Sequence, residues 1–181
     1  MELYKITKIS GCAIYKNKIH RDFRGTFEMT HNQIEYHAAG LEHIWSQDNV
    51  SITKKNVLRG LHIQSKNPQG KLIRCLKGTI YDVCVDLRKN SPTFRQHVTQ
   101  ILSEDNGYFF YVPEGCAHGF LSLSDESIVL YKCTSIWNPK HDGGIKWDDP
   151  ELAVGWPIEA PILSPKDSAL PSLADYLDQM T

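Results

Sequence analysis

The chain has 181 residues, 41% of them apolar and 23% charged, enough to bury the core of one domain spanning residues 1–181. With 20 Lys and Arg against 21 Asp and Glu, the net charge of −1 leaves no basic footprint for nucleic acid, and no run approaches the ~20 apolar residues of a membrane helix. The opening MELYKITKIS lacks the apolar stretch of a secretory signal, so a cytoplasmic protein is expected.

Residues 1–43 read as an N-terminal arm. Its strand-like GCAIYKNKIHRDFRGTFEM is broken at RDFRG, and such an arm pairs with its own sheet or with a partner's. From 44 to 137 the dominant period is two, punctuated by Gly, Pro, Asn and Asp, the pattern of an all-β sandwich or barrel. Within it VLRGLHIQSKNPQGKLIRCLKG (57–78) reads as two strands carrying Arg59, His62, Gln64, Lys71 and Arg74, polar groups that suit a cavity lined from inside a barrel. TIYDVCVDLR (79–88) puts Thr79, Tyr81, Val83, Val85 and Leu87 on a core face and Ile80, Asp82, Cys84, Asp86 and Arg88 on a mixed one. HVTQILS (97–103), GYFFYVP (107–113), HGFLSLS (118–124) and SIVLYKCTSIW (127–137) continue the series, with turns at SEDNG and PEGCA.

Beyond residue 137 the alternation fades. KHDGGIK is a glycine turn that lacks the helix start of a phosphate loop, and WDDP (147–150) is expected as a turn with a packed Trp147 and a solvent-exposed Asp148–Asp149 pair. In SPKDSALPSLADYLDQM, Leu173, Tyr176 and Leu177 form the apolar face of a short C-terminal helix. The five cysteines (Cys12, Cys75, Cys84, Cys116, Cys133) are scattered and lack a C-x-x-C pair, so they read as reduced structural thiols. His20, His31, His37, His43, His97 and His141 have no ligand-like spacing and are expected on the surface or the arm.

The most specific local pattern is GYFFYVPEGCAHGFLS, in which Gly107, Pro113, Gly115 and His118 have the spacing of the second cupin motif, with Ser122 where that motif has Asn. It is similar enough to imply an all-β, cupin-type double-sheet jelly roll, here with short C-terminal helices. Metal-binding cupins also carry H-x-H followed by Glu. The corresponding stretch here supplies His62, Gln64 and Lys71, the last standing seven residues before Gly78 as the Glu would. An ammonium repels a divalent cation and has no lone pair to donate while protonated, so no metal is expected and the pocket suits an anion. Arg74 alternates opposite Lys71; Lys71 is expected inside the barrel and Arg74 as a solvated strand residue.

Taken together, DFRGTFE (22–28), SQDNVSITKKNVLRGLHIQ (46–64), QGKLIRCLKGTIYDVCVDLRKNSPTF (69–94), VPEGCAHGFLSLSD (112–125), LYKCT (130–134), HDGGIKWDDPELAVGWP (141–157) and LSPKDSALPSLAD (163–175) resemble the dTDP-4-dehydrorhamnose 3,5-epimerase family. The resemblance implies a homodimer that binds a nucleoside-diphospho-4-keto-6-deoxysugar and inverts C3 and C5 with no metal or organic cofactor. It implies His62 as the base, Asp167 as the group that holds its imidazole, Tyr131 as the acid on the opposite face of the sugar, and Lys71 at the C4 oxygen. Arg59, with Arg24 from the partner subunit, would meet the diphosphate. Gln47, Asn49, Ser51 and His118 would line the pocket, and Phe27 and Glu28 would approach the base from the partner's arm.

The chemistry agrees with these residue types. A C–H beside a ketone becomes acidic only as the enolate is stabilised, and one preorganised donor at that oxygen is worth about 3–4 kcal/mol. A histidine base near its ordinary pKa adds about 10²–10⁴-fold, and inversion needs a second group to return the proton from the other side. After LYKCT the family commonly has two tyrosines, where this chain has Ile136 and Trp137, and Ile63 stands where an aromatic is usual. Trp137 can stack on a base, but these departures leave open a guanosine-linked 4-keto-sugar or heptose and inversion at one carbon only. A metal-dependent cupin enzyme and a non-catalytic sugar-binding jelly roll are the alternatives of other classes.

Overall fold

A computed structural model of the chain describes residues 1–179. In chain order the strands are β1 (Glu2–Ile6), β2 (Ala13–Lys16), β3 (His20–Asp22), β4 (Gly25–Phe27), β5 (Gln47–Lys54), β6 (Leu58–Gln64) and β7 (Lys71–Lys77). They continue with β8 (Thr79–Asp86), β9 (His97–Ser103), β10 (Tyr108–Val112), β11 (Cys116–Ser122), β12 (Glu126–Cys133) and β13 (Asp142–Gly144). The helices are short: α1 (Gln33–Ala38), α2 (Pro165–Ser168) and α3 (Leu173–Gln179). None is long and apolar enough to cross a membrane.

Two antiparallel sheets face each other, a six-stranded one in the order β1-β2-β10-β7-β12-β5 and a five-stranded one in the order β13-β6-β11-β8-β9. Strands β3 and β4 form a separate hairpin. This is the double-sheet jelly roll that the cupin-like spacing implied. Side chains from both sheets fill the space between them, among them Ile73, Phe110 and Val129 from one and Ile80, Cys84 and Phe120 from the other. Each sheet is also covered on its outer face. The tail brings Ile145, Leu152, Leu173 and Tyr176 onto Leu61, Val83 and Val85, while α1 and the segment after it set Tyr36 and Leu41 on Tyr15, Leu72 and Phe109.

The face of β8 expected to be core is core, but it lies outside the barrel, under the C-terminal tail. Its wholly apolar residues Val83 and Val85 pack outward against the C-terminal tail, and the mixed residues Ile80, Asp82 and Cys84 line the barrel interior. A sheet buried on both faces has no solvent side, so polarity along a strand marks the functional interior rather than the outside.

The expectation for Arg74 is corrected. It does face away from Lys71, but its side chain is only 1% exposed and bonded throughout. Its Nε and Nη2 donate to the Glu28 carboxylate (3.1 and 2.9 Å), and its remaining donors reach the carbonyls of Cys75, Ser103 and Glu104. The guanidinium thereby fastens the β3–β4 hairpin to the outside of the six-stranded sheet. The WDDP turn differs too: Asp149 is buried and accepts from the backbone N–H groups of Glu151 (3.0 Å) and Leu173 (2.9 Å), fixing the start of α3. The DGG expected as a turn pairs with β6 as β13, setting Gly144 opposite His62. Alternation over 127–137 ends at Cys133, where β12 stops. All five cysteines are free and buried.

Candidate active site

The start of β7, the middle of β6 and the end of β12 meet at one end of the barrel. They open on a cavity of about 280 Å³ lined by Gln47, Asn49, His62, Gln69, Lys71, Tyr131, Trp137, Asp142 and Lys166. The local sequence explains how His62 reaches it. Gly60 has φ +124°, and a Cβ there would stand 2.6 Å from Gly119 Cα on β11, so only glycine lets these two strands approach so closely. The register then sets His118 opposite His62.

The two imidazoles are held by different carboxylates. His62 Nε2 lies 2.5 Å from Asp167 Oδ1, and His118 Nε2 lies 2.5 Å from Asp82 Oδ1. Asp167 is presented by α2, for which the SPKD segment supplies Ser164 as N-cap and Pro165 in the first turn; Ser164 Oγ accepts from the Asp167 N–H (3.0 Å). Burial alone would raise the Asp167 carboxyl, but the hydrogen bond and charge of His62, with the Ser164 bond and the Lys166 charge, together hold it below the ordinary range. An ionised carboxylate only accepts, so Nε2 carries the proton and the Nδ1 lone pair is left as the basic position.

Lys71 points into the cavity and has no hydrogen-bond or ion-pair partner among the described residues. Burial lowers its pKa below that of an ordinary lysine, and Cys133, Asp142 and Asp82 partly offset this. Tyr131 shifts the other way: burial raises its phenol, Cys133 adds to the effect, and the Arg59 guanidinium opposes it. Lys71 is thus an amine that faces the cavity without a side-chain partner among the described residues, and Tyr131 a phenol that keeps its proton.

Gln47 and Asn49 lie on β5 beside Tyr131, with Gln47 Nε2 donating to Asn49 Oδ1 (2.9 Å) and Gln47 Oε1 accepting from the Trp137 N–H (2.8 Å). Ser51, next on the same face, has a buried hydroxyl without a hydrogen-bond partner among the described residues. Arg59 is exposed, its Nε donating to Thr53 Oγ1 (3.1 Å). Trp137 stands half-exposed at the mouth. Ser51, Arg59 and His118 lie near this cavity without lining it, and Arg24, Phe27 and Glu28 are not brought to it. Arg24 lies on the exposed hairpin against Asp22 (2.6 Å), Phe27 is 70% exposed, and Glu28 is bound to Arg74.

Three cavity residues, Gln69, Asp142 and Lys166, were not singled out from sequence. Lys166 and Asp142 pair across the mouth (2.5 Å). Burial raises the Asp142 carboxyl, but Lys166 and the Trp137 indole prevail and keep it low. The available signal was position: Lys166 directly precedes Asp167, and Asp142 opens the DGG segment.

A jelly roll that gathers a His–Asp pair, an unpaired ammonium and a protonated phenol around one cavity defines the class: an isomerase that epimerises carbohydrates by moving protons on carbon. A family model described as dTDP-4-dehydrorhamnose 3,5-epimerase matches residues 6–175. The dTDP-4-dehydrorhamnose 3,5-epimerase of Methanothermobacter thermautotrophicus is 48% identical over 164 residues, 89% of each chain. The structure of the enzyme of that name from Bacillus anthracis, solved with TDP and PPi bound, superposes with a TM-score of 0.90 at 42% identity, covering 95% of this chain and 99% of that one. A dTDP-6-deoxy-D-glucose-3,5-epimerase from Legionella pneumophila in complex with dTDP-4-keto-L-rhamnose gives 0.88 at 43% identity, covering 93% and 90%. The chain belongs to the dTDP-4-dehydrorhamnose 3,5-epimerase family.

Proposed function

We propose that this enzyme is a nucleoside-diphospho-4-keto-6-deoxysugar 3,5-epimerase using a thymidine-linked substrate, and that it works in the cytoplasm as a homodimer with neither metal nor organic cofactor. The observation that carries the reading is the unpaired Lys71 ammonium sharing one cavity with the His62–Asp167 pair and Tyr131. His62 takes the proton from the carbon beside the C4 ketone, and the C–H electron pair moves through the new C=C bond onto the C4 oxygen. Lys71 stabilises that oxyanion by about 3–4 kcal/mol, the scale of one preorganised donor. Tyr131 then delivers its proton to the opposite face of the same carbon, the ketone re-forms, and solvent restores both side chains. Repetition at the second carbon completes the double inversion. Asp167 favours the tautomer that leaves Nδ1 free and supports the imidazolium.

Gln47, Asn49, Ser51 and Arg59 are assigned to the nucleotide diphosphate and sugar, Trp137 to the base, and His118 to the cavity floor. Arg24, Phe27 and Glu28 are assigned to the site of the second subunit. Two features support that assignment: the hairpin is fastened to the face of the sheet opposite Lys71, and it exposes Phe23 (98%) and Phe27. Val50 and Ile52, exposed on the edge strand β5, supply further apolar surface for a second copy.

The test is incubation with thymidine- and guanosine-linked 4-keto-6-deoxysugars in D₂O, following C3 and C5 by NMR with and without chelator. Deuterium at both carbons with the thymidine substrate, unaffected by chelator, is the expected result. Label at one carbon makes the enzyme a mono-epimerase, and turnover that requires stoichiometric metal overturns the mechanism.

A further inference from the structure

We propose that Thr134 and Glu114 are positioning residues for Lys71, acting through the backbone of Gly70. The inference rests on the reading above, in which Lys71 meets the C4 oxygen. Strand β7 begins at Lys71, flanked by Val112 on β10 and Cys133 on β12. One residue earlier, side chains take over from the ladder. The Gly70 N–H donates to Thr134 Oγ1 (2.9 Å), and the Thr134 N–H donates to the Gly70 carbonyl (3.0 Å). The Thr134 hydroxyl donates in turn to Glu114 Oε1 (2.6 Å), while the Tyr111 phenol donates to Glu114 Oε2 (3.2 Å).

Thr134 directly follows the strand on one side of β7, and Glu114 lies in the turn after the strand on the other. The flanking strands are therefore tied together across the backbone that leads into Lys71. The clasp requires glycine beneath it, since a Cβ at 70 would stand 2.7 Å from both Glu114 Oε1 and the Tyr111 hydroxyl. Burial raises the Glu114 carboxyl, but the Thr134 hydroxyl and its own backbone N–H hold it below the ordinary range, so it serves as an ionised acceptor.

The clasp bears on chemistry as well as stability because nothing at the far end of Lys71 fixes its ammonium: Nζ has no partner among the described residues. Its location before substrate binds is set by the direction in which β7 leaves Gly70. Misplacement of a reacting group by about 1 Å costs on the order of 10²-fold.

The experiment compares Thr134→Val with Thr134→Ser, and Glu114→Leu with Glu114→Gln, measuring the rate of deuterium incorporation, KM, and thymidine diphosphate affinity by calorimetry. Valine and leucine are expected to slow incorporation about tenfold or more while KM and nucleotide affinity stay within about twofold, and serine and glutamine to restore most of the rate. Incorporation at the wild-type rate in Thr134→Val overturns the inference, as does an equal loss in Thr134→Ser. If Thr134→Val no longer binds the nucleotide, the Glu114 pair decides by the same criteria. A wild-type enzyme that incorporates no label overturns the proposed function and this inference with it, whereas normal wild-type exchange with unaffected variants overturns the inference alone.

Discussion

His62 and His118 stand opposite each other on β6 and β11, yet each imidazole is held by its own carboxylate, Asp167 for one and Asp82 for the other. Cross-strand pairing sets the two residues opposite each other, and different carboxylates hold their rings. Asp167 approaches from α2, with His62 left open to the cavity, whereas Asp82 is wholly buried with His118. One pair opens on the cavity, and the other is closed off from it by burial.

If His62 is the base, His62→Asn abolishes deuterium incorporation at both carbons. Asp167→Asn should retain the fold and lower incorporation by about 10³–10⁴-fold, because an amide can no longer dictate the tautomer. NMR in D₂O reads both; a rate for Asp167→Asn within about tenfold of wild type contradicts the pairing's role.

Tyr131→Phe removes the proton donor without disturbing the base. It should leave exchange of the abstracted proton with solvent intact and impair inversion at C5, so labelled but uninverted sugar accumulates. Equal loss of exchange in Tyr131→Phe and His62→Asn would show that the two residues are not on separate steps.

The alkaline limb of the rate profile should belong to Lys71. Its active form is charged, and burial brings deprotonation below the ordinary lysine value of 10.5, whereas Tyr131 is active while protonated and burial holds its proton beyond 10.0. On this assignment activity falls as Lys71 loses its charge. Lys71→Arg, which stays protonated at every accessible pH, should lower kcat and move the alkaline limb upward. A limb that does not move assigns it to another group.

Glu28→Ala leaves the Arg74 guanidinium buried without its counter-ion and should cost about 3–5 kcal/mol in urea unfolding. The double variant Glu28→Ala/Arg74→Met removes the stranded charge and should recover part of that loss. No destabilisation in the single variant would mean the hairpin is not held by this pair.

Particular elements show how far the sequence reached. The β8 alternation identified which residues share a face and that Val83 and Val85 are core, but not that this core lies outside the barrel, because the apolar tail that covers them lies far along the chain. Helix α1 went unseen: a run of six residues is too short for a helical period to show, and what holds it is Asn32 capping Ile34 and Glu35 and Tyr36 packing on a distant sheet. Arg74 looked solvated because nothing local announces that Glu28, 46 residues earlier, returns to meet it.

By itself the sequence determined the strand series, the cupin-like turn before His118, the lysine in place of a ligand and the alternation that sends Lys71 and Arg74 to opposite faces, since each depends on neighbours within a few residues. Only the tertiary structure decided that Asp82 holds His118, that Asp142 and Lys166 close the mouth, and that Gly70 lies under a clasp. Tertiary contacts of this kind join residues as far apart as His62 and Asp167, 105 positions along the chain. Spacing along a strand is set by local backbone geometry, whereas the meeting of distant side chains depends on where the whole chain returns.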